Sequence, residues 1–252
     1  TRNAPVVAGL MLRAAEIIAE GEKIAGIADP ETHLHGNLRV LVDSLNDTAR
    51  LSPEGIATTH AGLVRVVKDR LESLKWLRDF PEIAGEEIDR QVFLCGLPRS
   101  GTTYFQYLFD NDRRFRLIRT WESMTPFPPP GYDPASVERR KAEERAANEK
   151  LRIEVPGFDA LHLIDEDGPQ ECHLYLEYGF GAAGYHNMHD VPAYFDCLMD
   201  HLDLEPVYQI HKRMLQILQW KCPQRRWAVK YPNHVIAMDT IRKVHLGARF
   251  VM

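Results

Sequence analysis

The chain has 252 residues, 44% of them apolar, and a formal charge of −5 with acids and bases interspersed. That length buries one sizeable core, or a core with a helical appendage, and that charge excludes a wholesale binder of nucleic-acid polyanions. No apolar run approaches the roughly 18 residues of a membrane span, and no signal-peptide pattern opens the sequence, so a cytoplasmic protein is expected. The four cysteines (Cys95, Cys172, Cys197 and Cys222) are widely spaced without a CxxC pair, as expected of reduced thiols.

The first ninety residues read as helical. Apolar residues recur at helical spacing over Ala8–Lys23 (Leu10, Ala14, Ile17, Ile18), and Gly26 ends that run. The period continues over His33–Leu51 through Leu38, Leu41, Val42 and Leu45. Ser52-Pro53-Glu54 opens a third helix, serine as cap and proline at the first position; its stripe runs from Leu63 to Leu77, and Pro81 closes it.

At Gln91–Leu97 the pattern becomes a short continuous apolar run, a buried strand, and breaks into Pro98-Arg99-Ser100-Gly101-Thr102-Thr103. A helix over Thr102–Asn111 follows. Strand, glycine loop and helix is the layout in which backbone N–H groups and a helix N-terminus face an anion. Gly96 and Gly101 are five apart, as in a nucleotide-triphosphate loop, but Thr102 stands where the phosphate-reaching lysine belongs. The only cation in the loop is Arg99, whose planar guanidinium stays charged and offers paired donors to an oxyanion.

Beyond the loop, the prolines of Phe127–Tyr132 exclude regular structure. Asp133-Pro134 caps a highly charged helix to about Lys150 with little apolar face, expected to protrude into solvent, with a lid over a site as the alternative. Pro169 opens a helix carrying Glu171 and His173, Glu205–Cys222 is a buried amphipathic helix, and Trp227–Tyr231 is a strand. Asn233 caps a helix to about Val244, and Ala248–Met252 is the returning strand. This strand–helix–strand unit predicts an α/β fold: a P-loop-type three-layer core with a central parallel sheet over residues 91–252, and a helical N-terminal region over residues 1–90.

The PRSGTT loop after an apolar strand resembles the 5′-phosphosulfate loop of sulfotransferases that use 3′-phosphoadenosine-5′-phosphosulfate (PAPS). It is closest to the type shared by tyrosylprotein sulfotransferases and many bacterial enzymes. Arg119-Thr120-Trp121-Glu122 resembles the region carrying that family's catalytic glutamate, and Trp227–Met252 is similar to the segment leading into its 3′-phosphate-binding arginine and serine. The resemblance implies sulfuryl transfer to a hydroxyl or amine of a small-molecule, lipid or carbohydrate acceptor. It also implies an Arg-Asp pair and a serine past Met252, so that the sequence reads as part of a longer chain.

Sulfuryl transfer, like phosphoryl transfer, is mostly positioning and stabilisation of charge on the leaving phosphate. Arg99, the N–H groups of Ser100 to Thr103 and the hydroxyls of Thr102 and Thr103 are the candidates for that work. Glu122 is the expected base, with a helix cap or a pair with Arg119 as its structural alternative; His162, His173 and His234 compete for the role. Lys230 and His234 follow a strand end, where ligands of open α/β sheets bind, and are expected to touch the phosphosulfate or the acceptor. His33 with His35, and His186 with His189, lack a third ligand, and no metal is expected. A phosphotransferase in which Arg99 replaces the lysine, and a nucleotide-binding module without turnover, remain as alternatives. Tyr175, Tyr178, Phe180 and Tyr185 offer either an apolar acceptor pocket or ordinary core.

Overall fold

The computed structural model describes residues 11–158, 163 and 165–252. The expected start of the first helix at Ala8, its Leu10, and His162 lie outside the described residues.

The N-terminal helices form as their periods predict. Helix α1 (Ala14–Ala25) ends where Gly26 turns left-handed at φ 74° and donates its N–H to the Glu22 carbonyl. Helix α2 spans His35–Thr48 and α3 spans Pro53–Asp79; at the head of α3 the Ser52 hydroxyl accepts the Gly55 N–H at 3.1 Å. These helices bury Ile17, Leu38, Leu41, Val67 and Leu71 completely or nearly so. Beside them Arg70, fully buried, donates to both carboxylate oxygens of Asp29, at 3.0 and 2.5 Å.

The chain's contacts separate two compact units, the first made of residues up to Leu74 with Glu177–Asp203, the second of Lys75–Leu176 with Leu204–Met252. The expected boundary near residue 90 differs in two ways. The unit boundary falls inside α3, and residues 177–203, whose sequence lacks a long period, join the helical unit. That stretch carries Tyr178 and Phe180, which are core residues; the Tyr194 hydroxyl approaches the Phe180 and Ala182 carbonyls at 3.0 Å.

The second unit is built on a four-stranded parallel sheet: β1 (Val92–Leu94), β2 (Phe115–Arg116), β3 (Arg226–Lys230) and β4 (Arg249–Val251), in the order β2-β3-β1-β4. Val92 pairs with Ala228 on one side and Arg249 on the other. Successive side chains of a strand point to opposite faces, so β1 divides two layers. Val92 and Leu94 pack with Leu117, Ala228 and the phenylalanines of helix α4 (Thr102–Asp110). Phe93 points the other way, onto the rings of His211, His234 and His245. The three-layer α/β core follows from that alternation.

Helices α5 (Thr120–Met124) and α6 (Val137–Glu154) bring a correction. The charged helix is not solvated on all sides, because Arg140, Glu144 and Asn148, spaced one turn apart, are buried. The Arg140 guanidinium lies 4.6 Å over the Trp121 ring and donates to the Thr125 carbonyl at 2.8 Å. A polar stripe therefore serves as the packing face, through cation–π and hydrogen-bond contacts that an apolar-periodicity reading does not register. Helices α7 (His173–Glu177), α8 (Gly184–Met188), α9 (Pro192–Asp200), α10 (Glu205–Gln219) and α11 (Met238–Val244) complete the described elements. Asn233 does not cap α11: it lies inside a 3-10 turn over Pro232–Ala237, because the proline opens that tighter turn first. Among the described residues no helix is long and apolar enough to cross a membrane.

Candidate active site

The loop between β1 and α4 is exposed from Leu97 to Gly101, with Thr102 and Thr103 half-buried at the head of a nine-residue helix. Its backbone needs both glycines. Gly96 (φ 150°) and Gly101 (φ 88°) hold conformations that side chains disfavour, although Gly101 has open space where a Cβ would sit. Arg99 holds φ 66° without being glycine, a left-handed turn in the middle of the loop. The first N–H groups of α4 have no partner inside their own helix and carry its positive end. The loop is anchored behind: the Gly96 N–H donates to the Pro232 carbonyl and the Tyr231 N–H to the Leu94 carbonyl, at 3.3 and 3.2 Å.

Lys230 ends β3 beside this loop. Its side chain is buried, with Nζ 3.5 Å from Thr103 Oγ1 and bonded to Glu171 Oε1. Glu171 reaches that position because its segment is pinned at two points. Gln106 of α4 donates to the Gln170 carbonyl at 2.9 Å, and the Cys172 N–H donates to the Lys230 carbonyl at 3.0 Å. The second Glu171 oxygen faces His173 Nδ1 at 3.6 Å. Burial alone would raise the Glu171 carboxyl, but His173 and Lys230 outweigh it and hold the group down at about 2. A cleft lined by Thr103, Gln106, Tyr107, Thr120, Gln170 and Lys230 opens at this point. Loop, ammonium, carboxylate and imidazole thus converge, although Thr103, the Glu171–His173 segment and Lys230 are far apart in the chain.

Glu122 and His234 are placed otherwise than expected. Glu122 is buried; Oε1 accepts from Arg116 at 2.6 Å, and Oε2 accepts the Arg119 N–H at 3.0 Å, capping its own helix. Arg116 is itself fixed 4.2 Å over the Trp227 ring. Both carboxylate oxygens are therefore committed, and the structural alternative to a base, a helix cap, is the one the geometry shows, with Arg116 rather than Arg119 as the side-chain partner. His234 is fully buried, with Nδ1 2.8 Å from the Tyr208 hydroxyl and Nε2 3.1 Å from Cys172 Sγ. Both its ring nitrogens thus have partners inside the core, and His234 is not among the residues that line the cleft beside Lys230. Burial, with His211 nearby, drives its pKa well below the ordinary histidine range.

Glu171 is the residue that sequence reasoning passed over, naming it only as a neighbour of His173. The available signal was Lys230, since a lysine buried at a strand end requires a counterion. Among the described residues no group of three His, Cys, Asp or Glu side chains is arranged to hold a metal ion.

Comparison with known proteins decides among the readings of this loop. Residues 91–252 match the sulfotransferase family. The chain belongs to that family. The reading of the loop as that of an arginine-for-lysine phosphotransferase gives way, because the match takes in the loop, Lys230 and the returning strand together. Two solved structures share the fold. Sulfotransferase STF9 from Mycobacterium avium superposes with a TM-score of 0.85 at 23% identity, over 98% of this chain and 63% of its own. Sulfotransferase STF1 from Mycobacterium tuberculosis H37Rv gives 0.82 at 27% identity, over 95% of this chain and 66% of its own. The chain thus spans just under two thirds of the length of either. No curated protein matches the sequence.

Proposed function

We propose that this member of the sulfotransferase family is a PAPS-dependent enzyme that transfers a sulfuryl group to a hydroxyl or amine of a small-molecule, lipid or carbohydrate acceptor. Residues 91–252 form the donor-binding part in this reading. The observation that carries it is the position of the Lys230 ammonium, 3.5 Å from Thr103 Oγ1 at the mouth of an anion-binding loop. Glu171 already pairs with this ammonium, while the helix-terminal N–H groups beside it have no partner inside their own helix, an arrangement that favours a further anion such as a phosphosulfate. When bound, the donor supplies a sulfuryl group joined to a phosphate leaving group.

The Pro98–Thr103 loop holds the 5′-phosphate side through the N–H groups of Ser100 to Thr103, the Thr102 and Thr103 hydroxyls and the Arg99 guanidinium. Glu171, with a carboxylate beside Lys230, takes the proton from the acceptor hydroxyl as its oxygen bonds to sulfur. The bond from sulfur to the phosphate oxygen breaks, and its electron pair stays on that oxygen, where Lys230, Arg99 and the loop N–H groups neutralise it. Glu122 holds α5 in place and takes no proton.

Calorimetric titration with adenosine 3′,5′-bisphosphate beside ATP tests the donor assignment. Micromolar binding of the bisphosphate, weaker binding of ATP, and a loss of roughly 10- to 100-fold for Arg99→Ala are expected, the cost of removing a charged hydrogen-bond partner. Preference for ATP overturns the donor assignment. Bisphosphate binding without release of sulfate from PAPS to any acceptor or to water favours the nucleotide-binding module.

A further inference from the structure

Lys230 has two clients and one ammonium. Its Nζ bonds Glu171 and lies 3.5 Å from Thr103 Oγ1 in the loop, so the same buried cation stands between the proton-accepting carboxylate and the anion-binding loop. We propose that Lys230 couples donor binding to the basicity of Glu171: a phosphosulfate seated in the loop draws the ammonium toward itself, and Glu171, losing its counterion, becomes a working base only with the donor in place. The inference rests on the donor reading above and adds regulation of the same site.

The physical reason lies in the surroundings of Glu171. Burial is the largest influence on its carboxyl and acts to raise it; His173 and Lys230 act to lower it and prevail. A carboxylate held that low is a feeble proton acceptor at neutral pH. Drawing Lys230 toward a phosphate weakens one of the two opposing groups, and the donor's own negative charge pushes the carboxyl further up. The remaining titratable neighbours do not replace the lost cation. Cys172 and His234, packed behind, are buried and neutral, the thiol pushed well up and the imidazole well down, and Tyr231 meets the His173 ring as an aromatic neighbour, centroids 5.7 Å apart. His173 is then the one cation-forming partner left on the second oxygen, 3.6 Å away. The consequence is protection of the site: without donor, the ion pair leaves no active base and closes the polar groups on one another.

The coupling predicts that a proton accompanies the nucleotide. Titration of the intact protein with adenosine 3′,5′-bisphosphate at about pH 6.5, where the fold keeps its stability, in two buffers of different ionisation enthalpy, counts protons taken up on binding. The wild-type protein is expected to take up more protons than Glu171→Gln, which keeps the shape of the side chain and cannot titrate. Glu171→Asp, which keeps the charge beside Lys230, is expected to retain the extra uptake, and Glu171→Ala, which cannot titrate either, serves if the glutamine variant does not fold. Bisphosphate binding with the same proton count in the wild type and in a non-titrating variant at position 171 overturns the coupling and leaves the donor reading standing. Failure of the wild type to bind the bisphosphate overturns the donor reading on which it rests.

Discussion

Three histidines buried beneath β1 make this fold sensitive to mild acid, by an amount that follows from the structure. His211, His234 and His245 are all fully buried, and their rings surround Phe93 and Tyr208. Gln91 bonds His245 Nδ1, His245 Nε2 lies 3.3 Å from His211 Nδ1, and His211 Nε2 is buried with no hydrogen-bond partner. Among the described residues, the charged side chains that act on the group include Lys212, which disfavours a charged His245, and Glu171, which favours a charged His234. Burial pushes His211 down to about 3 and the other two well below the ordinary value. The folded values lie below the unfolded one, so the unfolded chain binds more protons, and stability present above about pH 6.5 is lost as pH falls. Each histidine that stays neutral in the fold contributes about 1.4 kcal/mol per pH unit below about pH 6.5, so the three together set a slope of about 4 kcal/mol per unit. A loss of that size over one unit is a large share of the stability of an ordinary domain, about 5–15 kcal/mol. Half-buried His189 acts in the same direction. Urea unfolding followed by circular dichroism at intervals from pH 7.5 to 5.5 measures the slope above the range in which carboxylates titrate. His211→Gln removes about one third of it. Stability that stays flat across this interval, or an undiminished slope in the variant, would refute the reasoning.

Two substitutions test other parts of the structure. Glu122→Gln breaks a buried pair with Arg116, so stability measured by urea unfolding is expected to fall by about 3 kcal/mol while bisphosphate affinity stays as in the wild type. A variant that keeps its stability and loses turnover returns the base to Glu122. Arg70→Ala leaves the Asp29 carboxylate buried without its bidentate partner and is expected to cost about 3–5 kcal/mol, read as a lowered urea midpoint; a change under about 1 kcal/mol would show that water replaces the guanidinium.

The sequence by itself determined the elements whose signal is local. Apolar spacing marked α1 to α3, Ser52 and Gly26 marked their ends, and the turn from Leu94 into Gly96–Thr103 marked a glycine loop between strand and helix, with Arg99 and without a lysine, because strand, loop and helix cap are each written within a few residues. Tertiary structure alone decided which charges meet. Glu122 and Glu171 are both acidic residues in polar stretches, and nothing in their own neighbourhoods shows that one is used up by Arg116 and a helix cap while the other reaches Lys230. The same holds for His234, whose partners Tyr208 and Cys172 arrive from other elements, and for Arg140, whose buried face is polar. Helical periodicity registers apolar side chains on one element; a buried charge is defined by the partner that neutralises it, and in this fold that partner comes from elsewhere in the chain.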